Sequence, residues 1–232
     1  MTEAELAQAL GQISAEMGFR FFALTHHLDV RCAPQPVIRL DNYPRDWVSY
    51  FDDNKLGASD PVHRASHVTS VGFAWSALPK LIQMTQRDSE IFERAERNGI
   101  GDGFTVPANV PGEANGSCSF ATARGCPVPE ENLALAQLVG AFAFEAARRL
   151  WRMRDPERAT PPRLTDRQRD CLIWATRGKT DWEIARILGV SHETVIMHLK
   201  DARVRYGVTK RTPLAVHALF DGTISFVDIL KS

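Results

Sequence analysis

Thr165-Asp-Arg-Gln168 and Thr180-Asp-Trp-Glu183 are both capping boxes, and they constrain the fold more tightly than any other feature of the chain. In each, the threonine hydroxyl accepts a backbone N–H left unpaired at a helix start, and the side chain three residues on reaches back to the threonine N–H. The first helix carries Cys171, Leu172 and Ala175 inward and stops at Gly178, a residue type that tolerates left-handed backbone after a helix. The second buries Ile184, Ala185 and Leu188. Gly189-Val190 makes a tight turn, and Ser191 caps a third helix. That helix carries Val195, Leu199, Ala202 and Tyr206 at spacings of 4, 3 and 4, which is one apolar stripe. Thr212-Pro213 is expected to cap a fourth helix, with Leu214 and Leu219 facing in. Small Ala185 and the Gly189 turn let two helices cross closely, as a helix-turn-helix requires.

The exposed side of the third helix carries the DNA-reading expectation. Glu193, Met197 and Lys200 lie opposite the apolar stripe, with Ile196 on its flank. In a helix-turn-helix this half of the second helix enters the major groove. Lys179, Thr180, Ser191, Thr194, Arg203, Arg205, Lys210 and Arg211 supply cations and hydroxyls for phosphate oxygens. The competing reading is a solvated basic face on a helical module that binds no DNA. Charge favours the first. Residues 1–157 hold 15 Lys and Arg against 20 Asp and Glu, while residues 158–232 hold 13 against 8. A basic module behind an acidic one fits a nucleic-acid reader joined to a second function.

The segment closely resembles the C-terminal DNA-binding domain of the LuxR family. The resemblance rests on Leu164-Thr-Asp-Arg-Gln-Arg-Asp-Cys-Leu172, Gly178-Lys-Thr, Glu183-Ile-Ala-Arg-Ile-Leu-Gly-Val-Ser191, Thr194-Val and His198-Leu. Two departures stand out. Gln168 replaces the usual Glu, keeping the cap and losing the charge. Ile196 replaces a frequent cation, so base readout differs there.

Asp155-Pro-Glu-Arg-Ala-Thr-Pro-Pro-Arg163 opposes helix and sheet alike and is the expected linker. It separates an N-terminal domain over residues 1–154 from a helical domain over 164–232. The first domain mixes signals. Residues 3–17, 86–98 and 129–153 have helical periodicity. Residues 19–25, 36–40, 103–107 and 117–123 read as strands, the last two joined by a hairpin connection over 111–116. The expected class is α+β, an antiparallel sheet flanked by helices in an α-β-α sandwich, followed by an all-α domain of four helices with a helix-turn-helix.

Among sensors attached to such DNA-binding domains, this half resembles the autoinducer-binding domain of the quorum-sensing branch. The carrying residues are Tyr43-Pro-Arg-Asp-Trp47, Asp60-Pro61, Trp75, Gly103-Phe-Thr-Val-Pro107 and Gly116-Ser-Cys-Ser119. The resemblance implies an N-acyl-homoserine lactone as signal, with its acyl or aryl group open. It assigns the Trp47 indole N–H to the lactone carbonyl, Asp60 to the amide N–H, and Tyr43 and Ser119 to the amide carbonyl. Trp75 walls the lactone, and Thr105 lies deeper, near a polar substituent on the tail. Phe51 stands where the family usually has Tyr, which dries that side of the pocket. Residue by residue the alternatives are core aromatics for Trp47 and Trp75 and a helix cap for Asp60-Pro61.

The implied function is a quorum-sensing transcription regulator that controls DNA binding as a homodimer on a double-stranded operator. A ligand-independent regulator, or a heterodimerising anti-activator, is the alternative. An enzyme is not expected: no nucleophile-and-base motif or Gly-rich phosphate loop is present, and His26-His27 reads as an isolated pair at a strand end, exposed or structural. Cys32, Cys118, Cys126 and Cys171 lack zinc-site spacing and are expected to be buried free thiols. No cofactor or metal is expected. The acidic N-terminus lacks a signal-peptide pattern, and no run of about 18 apolar residues exists. A cytoplasmic protein without a membrane partner is the expectation.

Overall fold

The computed structural model describes residues 2–27, 38–111, 113–154 and 162–230. It divides into two compact units, Met1–Val110 with Ala114–Pro156, and Glu157–Ser232 with Pro111–Glu113. Of the expected linker, residues 155–161 lie outside the described residues, as does Cys32.

The first unit is built on five antiparallel strands in the order β2-β1-β5-β4-β3. These are β1 (Phe21–His26), β2 (Arg39–Asp41), β3 (Phe73–Ala74), β4 (Ile100–Ala108) and β5 (Gly116–Ala123). The β4-β5 hairpin pairs Gly103 with Ala121 through Ala108 with Gly116. Sheet β3 went unread in the sequence because two residues are too few to show alternation. The helices are α1 (Glu3–Glu16), α2 (Arg45–Asp53), α3 (Pro61–Ser66), α4 (Leu78–Leu81), α5 (Gln86–Arg97) and α6 (Leu133–Arg154). Capping boxes start α1 at Thr2/Glu5 and α5 at Thr85/Asp88.

Side chains alternate across a strand, so β5 serves two cores. Cys118 and Phe120 join Phe22, Leu24 and Val106 against Leu10 of α1 and Ala143 and Phe144 of α6. Ala121 faces the other way, into a core with Trp47, Val62, Trp75, Ile91 and Ile100. The sheet is therefore covered on both faces, as an α-β-α sandwich requires.

The second unit comprises α7 (Asp166–Thr176), α8 (Asp181–Leu188), α9 (His192–Arg205), α10 (Arg211–Phe220) and α11 (Phe226–Leu230). Both expected capping boxes form, at Thr165/Gln168 and Thr180/Glu183, and Ser191 caps α9. Gly189 takes the left-handed conformation at φ 66° between α8 and α9. The start of α10 differs from expectation. Lys210 is its N-cap with no side-chain bond, so Thr212 lies inside the helix rather than capping it. The short α11 is an addition. Ser225 and Asp228 close its first turn, and Arg169 holds Asp228 at 2.9 Å. Of the thiols, Cys118 and Cys171 are buried as expected, whereas Cys126 is exposed in the turn after β5. Burial pushes the Cys118 thiol far up.

Helix α6 lies close against the sheet because Gly140 has no side chain. A Cβ there would stand 2.8 Å from Val106 Cγ2. Val106 is β-branched and fixed in its strand, so it cannot give way cheaply. Gly140→Val is expected to destabilise the first unit by about 1–3 kcal/mol. Gly140→Ala should lose less, because helix propensity returns about 1 kcal/mol. Urea unfolding of both variants checks this, and an unchanged midpoint for Gly140→Val would contradict the close approach.

Candidate ligand cavity and nucleic-acid interface

On the second face of the sheet, α2, α3 and α5 stand off β1 and β5 and leave a small cavity with mostly apolar walls. Six of the seven residues implied by the resemblance line the wall: Tyr43, Trp47, Phe51, Asp60, Trp75 and Ser119. Phe51 also walls an adjoining chamber that reaches toward Arg39 and Gly57.

Each side chain is aimed by its own element. Trp47 sits in the first turn of α2 and is buried, and its indole N–H has no partner among the described residues. Tyr43 immediately precedes that helix, and burial raises its phenol far above the ordinary value, so it remains a donor. Asp60 is the N-cap of α3, with Pro61 at N1. Its Oδ1 accepts the His63 backbone N–H at 3.0 Å. The two readings of Asp60, cap and cavity wall, are therefore both realised by one carboxylate, one oxygen being engaged in the cap.

Thr105 is placed differently from expectation. It is fully buried and does not line the cavity; it stands behind the wall. The Trp75 indole N–H donates to Thr105 Oγ1 at 2.8 Å, and Thr105 Oγ1 lies 2.8 Å from Ser119 Oγ. Indole only donates, so Thr105 must accept there. With Thr105 donating onward, Ser119 keeps its own O–H for the cavity. Trp75 can lie over β4 because Gly103 has no Cβ; one would stand 2.8 Å from the indole.

A histidine layer at this wall was not legible in the sequence. His27 and His63 stack with centroids 3.8 Å apart. His27 Nδ1 lies 3.0 Å from His67 Nε2, and His27 Nε2 lies 2.9 Å from Ser117 Oγ. His27 is 5% exposed, so of the two readings of the His26-His27 pair it is structural. Helical spacing was the available signal, since His63 lies one turn after Asp60 on the same helix face. Among the described residues no group of three His, Cys, Asp or Glu could hold a metal ion.

In the second unit, the exposed face of α9 carries Glu193, Ile196, Met197 and Lys200 in the open, with Thr194 and Arg203 half-buried beside them. Trp182 of α8 is also exposed and stacks on His192 with centroids 4.4 Å apart. Several expected phosphate-facing groups already have partners. Ser191 Oγ lies 3.0 Å from Thr194 Oγ1, Lys179 pairs with Glu183, and Arg211 pairs with Asp181. Thr180 is occupied as a cap.

Sequence and structure comparisons agree with this division. Residues 2–150 match the family described as autoinducer binding domain, and residues 162–218 match the one described as bacterial regulatory proteins, luxR family. The chain belongs to the LuxR family of autoinducer-binding transcriptional regulators, which are not enzymes. It is 32% identical to the quorum sensing-dependent transcriptional regulator RpaR of Rhodopseudomonas palustris, over 90% of this chain and 84% of that protein. It is 26% identical to the regulatory protein SdiA of Escherichia coli, over 96% and 91% respectively. The crystal structure of SdiA superposes with a TM-score of 0.71 at 25% identity, covering 100% of this chain and 93% of that one. A structure of SdiA in complex with octanoyl-rac-glycerol gives 0.67, covering 97% and 91%. No described helix is long and apolar enough to cross a membrane.

The histidine layer makes the first unit pH-sensitive. Burial, followed by the facing charges of His63 and His67, pushes the His27 pKa well below 6.5, and burial with His63 lowers that of His67. As pH falls below 6.5, the unfolded chain takes up protons before the folded one does, so stability is lost. The thermal midpoint of the first unit should be higher at pH 7.5 than at pH ~5.5, by more than in His27→Gln. Parallel pH profiles for the two proteins would remove His27 from the account.

Proposed function

We propose that residues 1–154 bind an N-acyl-homoserine lactone, its acyl group alkyl or aryl, in the cavity against β5, and that this binding controls operator recognition by residues 164–232 in a homodimer. The carrying observation is the polar head of the cavity: an indole N–H at Trp47, hydroxyls at Tyr43 and Ser119 and the Asp60 carboxylate, set in apolar walls. A lactone amide has two carbonyls and one N–H. Trp47 serves the ring carbonyl, Tyr43 and Ser119 the amide carbonyl, and Asp60 the N–H. Thr105 acts by holding Trp75 and Ser119, and Phe51 supplies apolar wall. A buried polar head binds only where each donor and acceptor is matched.

The SdiA complex with octanoyl-rac-glycerol supports a second ligand class, an acyl chain on a hydroxylated non-lactone head. Melting curves of the full chain with a lactone panel and with octanoyl glycerol discriminate the two, since a ligand of the native state raises the midpoint with dose. Stabilisation by the glycerol ester alone would displace the lactone.

Asp60 gives the sharper test. Asp60→Ala loses the α3 cap, at about 0.5–2 kcal/mol of stability. It also strands the ligand N–H, at a further cost of about 1–3 kcal/mol in affinity. Asp60→Asn keeps the cap and an acceptor oxygen, so its affinity should fall between wild type and Ala. Titrations below the melting range read the folded fraction only, and unchanged affinity in Asp60→Ala would remove the carboxylate from ligand recognition.

For DNA, Glu193, Ile196, Met197 and Lys200 are assigned to base edges, and Lys179, Thr180, Ser191, Thr194, Arg203 and Arg211 to backbone positioning. Exposed Leu138 and Phe142 on α6 and Val216 and Phe220 on α10 supply apolar faces for pairing two chains. Pairing places two copies of α9 about one DNA turn apart. Lys200→Ala should cost about 1–3 kcal/mol on the specific operator alone. Arg211→Ala should weaken all sequences alike and flatten the salt slope. Gel-shift titrations at several salt concentrations, with the mass of the complex measured, check both points. Sequence-independent loss in Lys200→Ala, or one chain per operator, would contradict the assignment.

A further inference from the structure

We propose that His63 reads the tail of the signal, and that the signal carries a hydroxyl on that tail; this rests on the lactone reading above. His63 is 8% exposed and walls both the main cavity and the adjoining chamber. Its Nδ1 lies 2.8 Å from the Gly57 carbonyl oxygen. A carbonyl only accepts, so Nδ1 carries the proton. In the neutral ring Nε2 is then an acceptor, and the hydrogen bond His63 makes to a described residue through its ring is the one at Nδ1.

The ring has little freedom to turn away. One face stacks on His27 at 3.8 Å and 15°. His27 is itself fixed by Ser117 and His67. Phe51 meets the His63 ring edge-on, with centroids 5.6 Å apart. Phe51 has no hydroxyl, so this neighbouring ring offers His63 no donor.

A plain methylene tail seated here would strip water from Nε2 and leave it unpaired. A tail hydroxyl would donate to it. Asp60 and His63 lie one helical turn apart, so this donor sits a short way along the tail from the amide N–H that meets Asp60. The wall thus presents two acceptors in series, one for the amide and one for the hydroxyl.

The experiment uses matched pairs of synthetic lactones on the full chain: 3-hydroxyacyl against unsubstituted acyl, and hydroxyaryl against aryl. Affinities are read by calorimetry. In wild type, the hydroxylated member of at least one pair should bind roughly tenfold tighter or more. His63→Leu should bring that ratio to within about twofold, whatever the shift in affinity common to both members. His63→Gln, which retains an acceptor and a donor, should restore part of the preference. If His63→Leu does not fold, the ligand pairs and the His63 Nε2 resonance of the ¹⁵N-labelled wild type decide, since that nitrogen should shift with hydroxylated ligand only. Lactones that bind without hydroxyl preference would overturn the role of His63 and leave the lactone reading standing. Failure of every lactone to bind would overturn both.

Discussion

The alternation of side chains along β5 is the constraint on which the first unit depends. Cys118 and Phe120 are withdrawn into the core under α1 and α6, while Ser117, Ser119 and Ala121 face α2, α3 and α5. A slip of one residue would exchange the two sets and put hydroxyls into the apolar core. The register is pinned on both sides by β1 and β4. The polar face survives burial because each hydroxyl has a partner: Ser117 has His27, and Ser119 has Thr105. The cavity wall is thus an extension of the sheet's own hydrogen-bond economy.

Much of this was legible where a local rule acts alone. The helix starts at Thr165, Thr180 and Ser191 follow from side chains bonding to backbone three residues away. The β4-β5 hairpin follows from two apolar runs around a turn-rich segment. Elements whose existence depends on tertiary contact were not legible. Strand β3 has two residues and α4 four, too few to show a period, and α2 went unread although it has nine. The start of α10 was misplaced because Thr212-Pro213 has the composition of a cap, whereas the backbone turns helical two residues earlier, at Arg211 after the Lys210 N-cap.

For the site, the family pattern identified positions without the bonds between them. It set Thr105 deeper, near a polar substituent on the tail, whereas Thr105 stands behind the wall and bonds to Trp75 and Ser119. It offered two meanings for Asp60, of which the geometry shows the cap while setting the same carboxylate at the cavity wall. It was silent on His63 and His67, because the layer forms only when the fold brings them against His27, which is distant in the chain. In the second unit, exposure was predicted well for Glu193, Met197 and Lys200. The ion pair between Arg211 and Asp181 joins residues far apart in the chain and could not be foreseen.

The double duty of Asp60 narrows the routes by which this chain can change. Substitutions that keep a short oxygen-bearing side chain there, Asn, Ser or Thr, preserve the start of α3 while altering the group offered to a ligand. Substitutions to aliphatic residues remove the helix start at the same moment as the acceptor. Under the proposed ligand reading, loss of response through position 60 divides into two kinds of allele: an intact but deaf protein, reached through the polar residues, and a poorly folded one that a cell's proteases would clear.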